Sequence, residues 1–251
     1  MRRFRTVALL ALSAMTLPLM AQSEAGMMME LGAEKKLSKK VSVGLDAELR
    51  TRNNLKTIDR WSIGLGAEYK PIKNVKLAAG YLLLNDNFRE SISYKTDGSY
   101  NNWRPSYWGI RHRLYASVTG SYKLTKNLQV SLRERWQYTY RPAHTVSERW
   151  SYLDNAYDGK EKTYNGKGKN VLRSRLQVEY DKKGLAVTPY ANVELFNAWS
   201  LQKVRYTAGL DWKLFKQHSV GAFYRYQNVR DDDDDNEPNT HLIGVGYKFK
   251  F

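Results

Sequence analysis

Hydrophobic and polar residues alternate with a period of two along nearly all of the chain. In residues 41–52, Val43 and Leu45 share one face of the segment, and Asp46 and Glu48 share the other. This period belongs to a β-strand with unlike faces, and segments of about ten such residues are typical of strands that cross an outer membrane. The alternation predicts eleven strands, at 27–37, 41–52, 58–70, 75–85, 109–122, 128–141, 170–180, 185–197, 203–214, 219–229 and 240–251.

The connections between these strands alternate in length. Tight turns are predicted at 38–40, 71–74, 123–127, 181–184 and 215–218, and longer or more polar links at 53–57, 86–108, 142–168, 198–202 and 230–239. A soluble β-sandwich has no reason to sort its turns in this way, whereas an outer-membrane barrel has short turns on one side and long loops on the other. We therefore predict an all-β fold, a single transmembrane antiparallel β-barrel with short periplasmic turns and longer extracellular loops. Whether the two longest loops are solvated or fold over the mouth stays open.

The number of strands conflicts with this prediction. Single-chain bacterial barrels normally have an even number of strands and both termini in the periplasm. If the last strand runs inward, the first of eleven strands also runs inward and would have to pair with it in parallel. We favour twelve strands, with one weak strand hidden in the pattern, and keep ten as the alternative, in which 27–37 is not a wall strand.

The amino terminus has the layout of an export signal. Residues 1–5 are basic, residues 7–19 are apolar apart from small residues and a proline, and Ala21 offers a small residue for cleavage. This stretch is too short for a spanning helix and is typical of a secretory signal peptide. We expect residues 1–21 to be removed and residues 22–251 to form the barrel. An uncleaved anchor is the alternative.

Composition narrows the class of protein further. The chain has no cysteine, so disulfides, cysteine-ligated metals and cysteine nucleophiles are excluded. Aromatic residues make up 13% of the chain, with 18 tyrosines and 7 tryptophans, as suits a protein that meets two membrane–water interfaces. The formal charge of +16 could indicate binding to nucleic acid, but the export signal argues against such a partner.

The polar face of each strand is predicted to line the lumen of the barrel. Arginine dominates this face in the middle of the chain. One interpretation is an arginine ladder in a narrow pore that favours anions, and the other is that arginines and acids pair and fill a barrel too narrow to conduct freely. The lumen-lining candidates are Arg50, Arg111, Arg113, Arg133, Arg135, Arg173, Arg175, Arg205, Arg225, Glu48, Glu68, Glu179 and Glu194.

No sequence motif identifies a catalytic, cofactor or metal site. The four histidines, His112, His144, His218 and His241, do not have the spacing of zinc ligands. His112 and His241 are predicted near the outer ends of their strands, on the lipid-facing register, where a surface hydrolase would place its base. We find no serine beside them on a neighbouring strand, and interpret both as interfacial histidines.

The run from Asp231 to Asp235 consists of five consecutive acids in a predicted surface loop. Such a loop could recruit divalent cations, which also bridge the phosphates of lipopolysaccharide. The run lacks the spaced ligands and the glycine of a dedicated calcium loop. We therefore favour a solvated stretch of charge.

Several short segments together resemble a known family. They include Glu34-Lys-Lys-Leu-Ser-Lys-Lys, Asp59-Arg-Trp, Arg111-His-Arg-Leu-Tyr, Arg133-Glu-Arg and Arg173-Ser-Arg. These segments resemble the bacterial outer-membrane family catalogued as domain of unknown function 2490. The resemblance covers most of the chain after the signal and implies an outer-membrane barrel. It brings no established activity and no functional residue.

We predict from these observations an outer-membrane barrel without a cofactor that forms a narrow pore for small anionic or polar solutes. A surface enzyme of the lipid A hydrolase or protease type and a structural barrel without transport are the alternatives. The expected partners are outer-membrane lipid and lipopolysaccharide, periplasmic chaperones and the barrel-insertion machinery. That machinery reads a final strand with alternating hydrophobic residues, here with Tyr247, Phe249 and Phe251. The oligomeric state stays open.

Overall fold

A computed structural model describes residues 23–147, 149–230 and 237–251. The expected signal peptide and the run Asp231 to Asp235 lie outside these residues. The described chain forms β1 (Ser23–Lys36), β2 (Val41–Arg52), β3 (Thr57–Ile72), β4 (Val75–Phe88), β5 (Ser91–Tyr94), β6 (Tyr100–Arg104), β7 (Tyr107–Lys123), β8 (Leu128–Arg141), β9 (His144–Val146), β10 (Trp150–Ser151), β11 (Ala156–Tyr157), β12 (Lys162–Tyr164), β13 (Lys167–Tyr180), β14 (Val187–Ala198), β15 (Ser200–Lys213), β16 (His218–Val229) and β17 (Asn239–Lys250). In this part of the chain, no helix is long and apolar enough to span a membrane.

Eleven of these strands close into one barrel, in the order β1-β17-β16-β15-β14-β13-β8-β7-β4-β3-β2. All neighbouring strands are antiparallel except β1 and β17, which pair in parallel from Ser23 beside Asn239 to Glu34 beside Lys250. The prediction of twelve strands, or of ten, was therefore wrong. The strand at 27–37 is a full wall strand that starts earlier, at Ser23, and it pairs with β2 on one edge and with β17 on the other.

The alternation of residue types places apolar side chains on the outer face of the wall and polar side chains in the lumen. Leu45 and Ile243 point outward and are 55% and 67% exposed, whereas Ser62 and Gln137 are buried inside the barrel. Leu82 and Leu84 break the alternation of β4, and the structure explains why. Both residues line the lumen, and Leu84 is only 1% exposed.

The wall has two unlike ends. We call the end with the connections 37–40, 73–74, 124–127, 181–186 and 214–217 the turn end, and the end with the connections 53–56, 89–106, 142–166, 199 and 230–238 the loop end. Some links at the loop end are also tight. Asn53 and Asn54 have φ of 53°, a left-handed conformation that asparagine tolerates better than most residues.

The two longest connections at the loop end are not simple loops. Strands β5, β6, β10 and β11 form a four-stranded sheet, and β9 and β12 form a two-stranded one. Tyr107, at the start of β7, stacks on His144 and on Tyr164 at centroid distances of 5.3 and 5.8 Å. These contacts fix the two-stranded sheet to the rim of the barrel.

The seam at β1 is closely packed where it meets β2. The backbone amide of Met27 donates to Oγ1 of Thr51 at 2.9 Å. A Cβ atom on Gly26 would lie 2.2 Å from the carbonyl oxygen of Thr51 and 2.8 Å from the side chain of Leu242. A residue without a side chain is therefore required at this position for β1 to enter the wall.

The absence of cysteine allows a direct test of the parallel closure. Met29 and Val245 are register partners across β1 and β17. Neighbouring strands lie about 4.8 Å apart, well within the reach of about 7 Å between the Cα atoms of a disulfide. We expect the double variant Met29→Cys/Val245→Cys, folded and mildly oxidised, to form an intramolecular disulfide in most molecules, measured by mass spectrometry.

A register-shifted control fixes the geometry. In Met29→Cys/Tyr247→Cys the second cysteine lies two residues further along β17, an additional distance of about 6.6 Å along the strand that should prevent the bond. Cross-linking that fails in the first variant, or that is equally efficient in both, would contradict an eleven-stranded wall with this register.

Candidate functional site in the lumen

The loop-end half of the lumen contains a cavity of about 280 Å³ with an unusual balance of charge. Twelve cationic and three acidic side chains line it. The cations are Arg50, Arg60, Arg111, Arg113, Arg135, Arg141, Lys167, Lys169, Arg173, Lys203, Arg205 and Arg225. The acids are Glu30, Glu48 and Glu237. We call this space the cationic cavity.

A second cavity of about 630 Å³ occupies the turn-end half. Five cationic and four acidic side chains line it, so its charge is nearly balanced. Glu30, Glu48, Tyr115 and Arg135 line both cavities, which makes the two spaces neighbours along the barrel axis. Among the described lining residues, cations therefore outnumber acids four to one in the cationic cavity and are nearly matched by acids in the turn-end cavity.

Glu194 on β14 is the centre of the largest ion-pair network in the described lumen. The residue is 3% exposed. Its carboxylate accepts hydrogen bonds from Arg133 and from Arg173, the latter at 2.7 Å, and Nη1 of Arg205 lies 3.6 Å from it. β8, β13, β14 and β15 are consecutive in the wall, so the side chains meet directly. One carboxylate thus holds three guanidinium groups, and the network keeps an excess of positive charge.

Asp86, at the loop end of β4, holds a second network. It pairs with Arg60, and Nε of Arg111 lies 3.0 Å from its other carboxylate oxygen. On β2, which neighbours β3 and its Arg60, Arg50 pairs with Glu48 at 2.9 Å. These pairs orient guanidinium groups along one side of the lumen but neutralise only some of them.

Arg113, Arg135 and Arg141 are among the lumenal arginines that have no carboxylate within ion-pair distance in the described part of the chain. Arg113 donates to Oγ1 of Thr139 at 2.9 Å. Arg135 lies over the ring of Tyr115, 4.3 Å from its centroid, and Arg141 lies 5.6 Å from the ring centroid of Phe88. Hydrogen bonds and aromatic faces thus fix these guanidinium groups, and no described carboxylate pairs with them.

The connection between β16 and β17 places one acid in the cationic cavity. The carboxylate of Glu237 accepts from Lys203 at 2.7 Å and from the side-chain amide of Gln227 at 3.1 Å. The attraction of the Lys203 ammonium group holds the pKa of Glu237 well below its usual range. This contact therefore persists above the ordinary carboxyl pKa and is lost only when the pH falls through the lowered value.

Most of the predicted lumen-lining residues lie in these two cavities. Arg50, Arg111, Arg113, Arg135, Arg173, Arg205, Arg225 and Glu48 line the cationic cavity, and Arg133 lines the turn-end cavity. Glu194 contacts three of them, and Arg175 lies beside Glu194 in the register of β13 and β14. Glu68 pairs with Lys76 at 2.9 Å, and Glu179 accepts from Gln177.

Several lumenal charges were absent from the prediction. Arg60 lies on the same face of β3 as Ser62, and Lys203 lies on the same face of β15 as Arg205. The alternation of the sequence could therefore have identified both as lumenal. Glu237 lies in a connection, and no periodicity indicates where its side chain points.

The predicted carboxy-terminal signal lies on the outer face at the turn end. The phenol of Tyr247 is 2.7 Å from Nδ1 of His218, and the ring of Phe249 lies 5.0 Å from the same imidazole. Phe251 packs edge-on against Phe249 at 4.4 Å, and its backbone amide donates to the carbonyl oxygen of Glu34. The last residues therefore tie β17 to β16 and β1.

The outer face also carries two further tyrosine–histidine pairs. Tyr81 contacts Nδ1 of His112 at 2.7 Å, and Tyr224 contacts Nδ1 of His241 at 2.5 Å. A serine does lie beside His241, contrary to our expectation: Oγ of Ser23 is 3.1 Å from Nε2. Ser23 precedes the strand predicted at 27–37 and neighbours His241 only because β1 pairs with β17.

Comparisons with known proteins identify a family. The model of the family described as "Protein of unknown function (DUF2490)" matches residues 25–237. No curated protein matches the sequence significantly.

Among solved structures, the β domain of the Bordetella autotransporter BrkA is 17% identical, with 86% of each chain covered and a TM-score of 0.55. The translocator domain of the autotransporter NalP from Neisseria meningitidis is 11% identical, with 98% of this chain and 93% of that chain covered and a TM-score of 0.50. The NanC porin is 14% identical, with 92% of this chain and 99% of that chain covered and a TM-score of 0.46. The likeness to the two autotransporter domains concerns the fold alone.

The Glu194 network generates a prediction about stability. Glu194→Gln removes the carboxylate but leaves three guanidinium groups facing one another. Loss of one partner of a buried ion pair typically costs about 3–5 kcal/mol, so the free energy of unfolding should fall by roughly this amount. Urea unfolding of the refolded protein in detergent micelles, followed by tryptophan fluorescence, measures the change.

Asp181→Asn is the matched control. Asp181 pairs with Lys213 at 3.9 Å, and both side chains are exposed. Exposed pairs contribute about 0–1 kcal/mol, so this variant should unfold nearly as the native protein does. Equal stability losses in the two variants would show that Glu194 does not hold the lumen together.

Proposed function

We propose that this chain, which belongs to the DUF2490 family, lies in the bacterial outer membrane as a narrow barrel whose lumen admits small anionic solutes. The cationic cavity is the observation that carries the proposal. Four of its arginines, Arg113, Arg135, Arg141 and Arg225, have no described carboxylate within ion-pair distance. Small anions are the solutes that such a lining attracts.

The outer face supports the placement in a membrane. Leu31, Leu65, Leu132, Leu176 and Ile243 come from separate wall strands and are all exposed. A continuous apolar wall around a polar lumen is stable in lipid, where every backbone polar group has to be paired within the sheet. Outer-membrane lipid and lipopolysaccharide are therefore the proposed surroundings, with the loop end at the cell surface.

Delivery to that membrane follows from the two ends of the sequence. We propose that residues 1–21 direct export and are cleaved, so that residues 22–251 form the barrel. Periplasmic chaperones and the barrel-insertion machinery would then receive the chain. The outward aromatic residues Tyr247, Phe249 and Phe251 are the proposed recognition element of the final strand.

The charges of the lumen favour a particular class of solute. Arginine forks bind carboxylates and phosphates through paired hydrogen bonds. Arg113, Arg135 and Arg141 are orientated by a hydroxyl or an aromatic ring, and their charge is not neutralised by a described carboxylate. These three are the proposed contacts of a passing anion, whereas the Glu194 network mainly fixes the shape of the lumen.

Ion selectivity tests the proposal. Full-length protein in planar bilayers under a gradient of potassium chloride should give a reversal potential of the sign expected for preferred chloride passage. A unit charge about 4 Å from an ion is worth about 1 kcal/mol in water, so Arg113→Gln or Arg135→Gln should lower the chloride-to-potassium permeability ratio about fivefold.

Lys39→Gln serves as the control because Lys39 is exposed in a turn and lies outside both cavities. Its permeability ratio should stay at the native value. Bilayers that stay silent with demonstrably folded protein would overturn transport and leave a structural barrel.

Glu237 provides a second and opposite test. Its carboxylate neutralises Lys203 inside the cationic cavity, so Glu237→Gln adds one net positive charge there. We expect the chloride preference to increase in the same bilayer measurement. Asp97→Asn, which removes an exposed carboxylate between β5 and β6, should leave the preference unchanged. A lower chloride preference in Glu237→Gln would contradict an anion path through this cavity.

A further inference from the structure

His241 differs from the other histidines of the outer face. Three histidines of the outer face, His112, His218 and His241, each contact a tyrosine. Within the described part of the chain, only His241 has a hydrogen-bond partner on both ring nitrogens. Nδ1 is 2.5 Å from the phenol of Tyr224, and Nε2 is 3.1 Å from Oγ of Ser23. The tyrosine partner is common to all three pairs and suits an interfacial histidine, but the serine is an addition that this role does not require.

We propose that Ser23, His241 and Tyr224 form a hydrolytic site for ester-linked acyl chains. A serine hydroxyl beside an imidazole, with a third group orienting the ring, is the arrangement of an activated nucleophile. The site lies on the outer face and shares no side chain with the cationic cavity. It is therefore a second activity, separate from the passage of anions.

The hydrogen bonds define a role for each group. When Nδ1 carries the ring proton, its N–H donates a hydrogen bond to the Tyr224 oxygen. Nε2 then has a lone pair that can accept the hydroxyl proton of Ser23. Tyr224 is thus a positioning residue that fixes the tautomer and the plane of the imidazole. The ring of Tyr226 lies 4.8 Å from the imidazole and holds it from a second side.

The position of the site indicates the class of substrate. His241 points outward at the loop end of β17, and the next outward residues, Ile243 and Val245, belong to the exposed apolar wall. Tyrosine side chains concentrate at the boundary between headgroups and hydrocarbon, which is also where lipids carry their ester bonds. The choice of a membrane lipid as substrate rests on the membrane placement proposed above, whereas the chemistry of the site does not.

The reaction needs only water as a co-substrate. Oγ of Ser23 attacks the ester carbonyl carbon as its proton passes to Nε2 of His241. The tetrahedral intermediate then breaks the bond to the alcohol oxygen, which leaves with the proton from Nε2. Water, deprotonated by the same nitrogen, attacks the acyl-serine and releases a fatty acid, and the proton returns to Ser23.

The first experiment detects the nucleophile in the unaltered protein. Full-length protein, refolded in detergent micelles, is incubated with a fluorophosphonate probe, digested and analysed by mass spectrometry. We expect a covalent adduct on Ser23. Folded protein that stays unlabelled at Ser23 would overturn the proposal, and this readout does not depend on any variant folding correctly.

The second experiment measures hydrolysis of a nitrophenyl ester of a medium-chain fatty acid. Loss of a nucleophile or of a general base costs about a hundredfold or more, so Ser23→Ala and His241→Gln should reduce the rate by at least this factor. Tyr224→Phe should lower kcat about tenfold and leave KM unchanged, because only the orientation of the imidazole is weakened.

His112→Gln is the matched control for these variants. His112 has the same tyrosine contact on the same face but no described serine on its second nitrogen, so the rate should be unchanged. Equal losses of hydrolysis rate in His112→Gln and His241→Gln would show that the substitutions disturb the barrel wall in general, and would overturn the site. A rate that Ser23→Ala leaves unchanged would do the same.

Vesicles of phosphatidylethanolamine and phosphatidylglycerol test the lipid substrate separately. Reconstituted protein should release free fatty acid in a manner that requires Ser23. Hydrolysis of the soluble ester without release from the vesicles would retain the catalytic site and overturn the assignment of a membrane lipid as its substrate. Neither assay depends on the ion selectivity of the lumen.

Discussion

The structure depends on one constraint, the pairing of every strand edge in the wall. In lipid an unpaired row of amides and carbonyls is too costly to keep, so the sheet has to close. With eleven strands and strict alternation of direction, the first and last strands point the same way, and closure requires a parallel pair. β1 and β17 provide it over twelve residue pairs. Odd barrels with this kind of closure are unusual but known, as in the nineteen strands of the mitochondrial VDAC.

Closure also determines where the chemistry lies, because the pleat sends successive side chains to opposite faces of the wall. Arginines on one face of the strands meet in the lumen. Among the described residues they share few carboxylates, and Glu194 holds three guanidinium groups and Asp86 two. Histidines on the other face meet tyrosines outside. The same parallel seam brings Ser23 to His241, although 218 positions separate them in the sequence. Two proposed activities thus occupy opposite faces of a single sheet.

Much of this fold could be predicted because alternation is a local property. The ranges 41–52 and 128–141 coincide with β2 and β8, and the inward arginines followed from parity alone. The strand count was wrong because a general preference for even barrels outweighed a pattern that already contained eleven strands. Long-range contacts were out of reach, since no local signal says that Ser23 neighbours His241 or that the connection before β17 turns Glu237 towards Lys203. The strands β5, β6 and β9 to β12 also escaped prediction, because segments of two to five residues are too short to show a period.

The parallel seam has a further consequence for how such a barrel could arise and be altered. Copying a β-hairpin adds two strands at a time, so this step alone cannot turn an even barrel into an odd one. The two ends of the wall also lie on opposite rims, since β1 starts at the loop end and β17 finishes at the turn end. A short linker can therefore neither join them in a circular permutant nor fuse two barrels in tandem. Any such linker would have to run the full height of the wall.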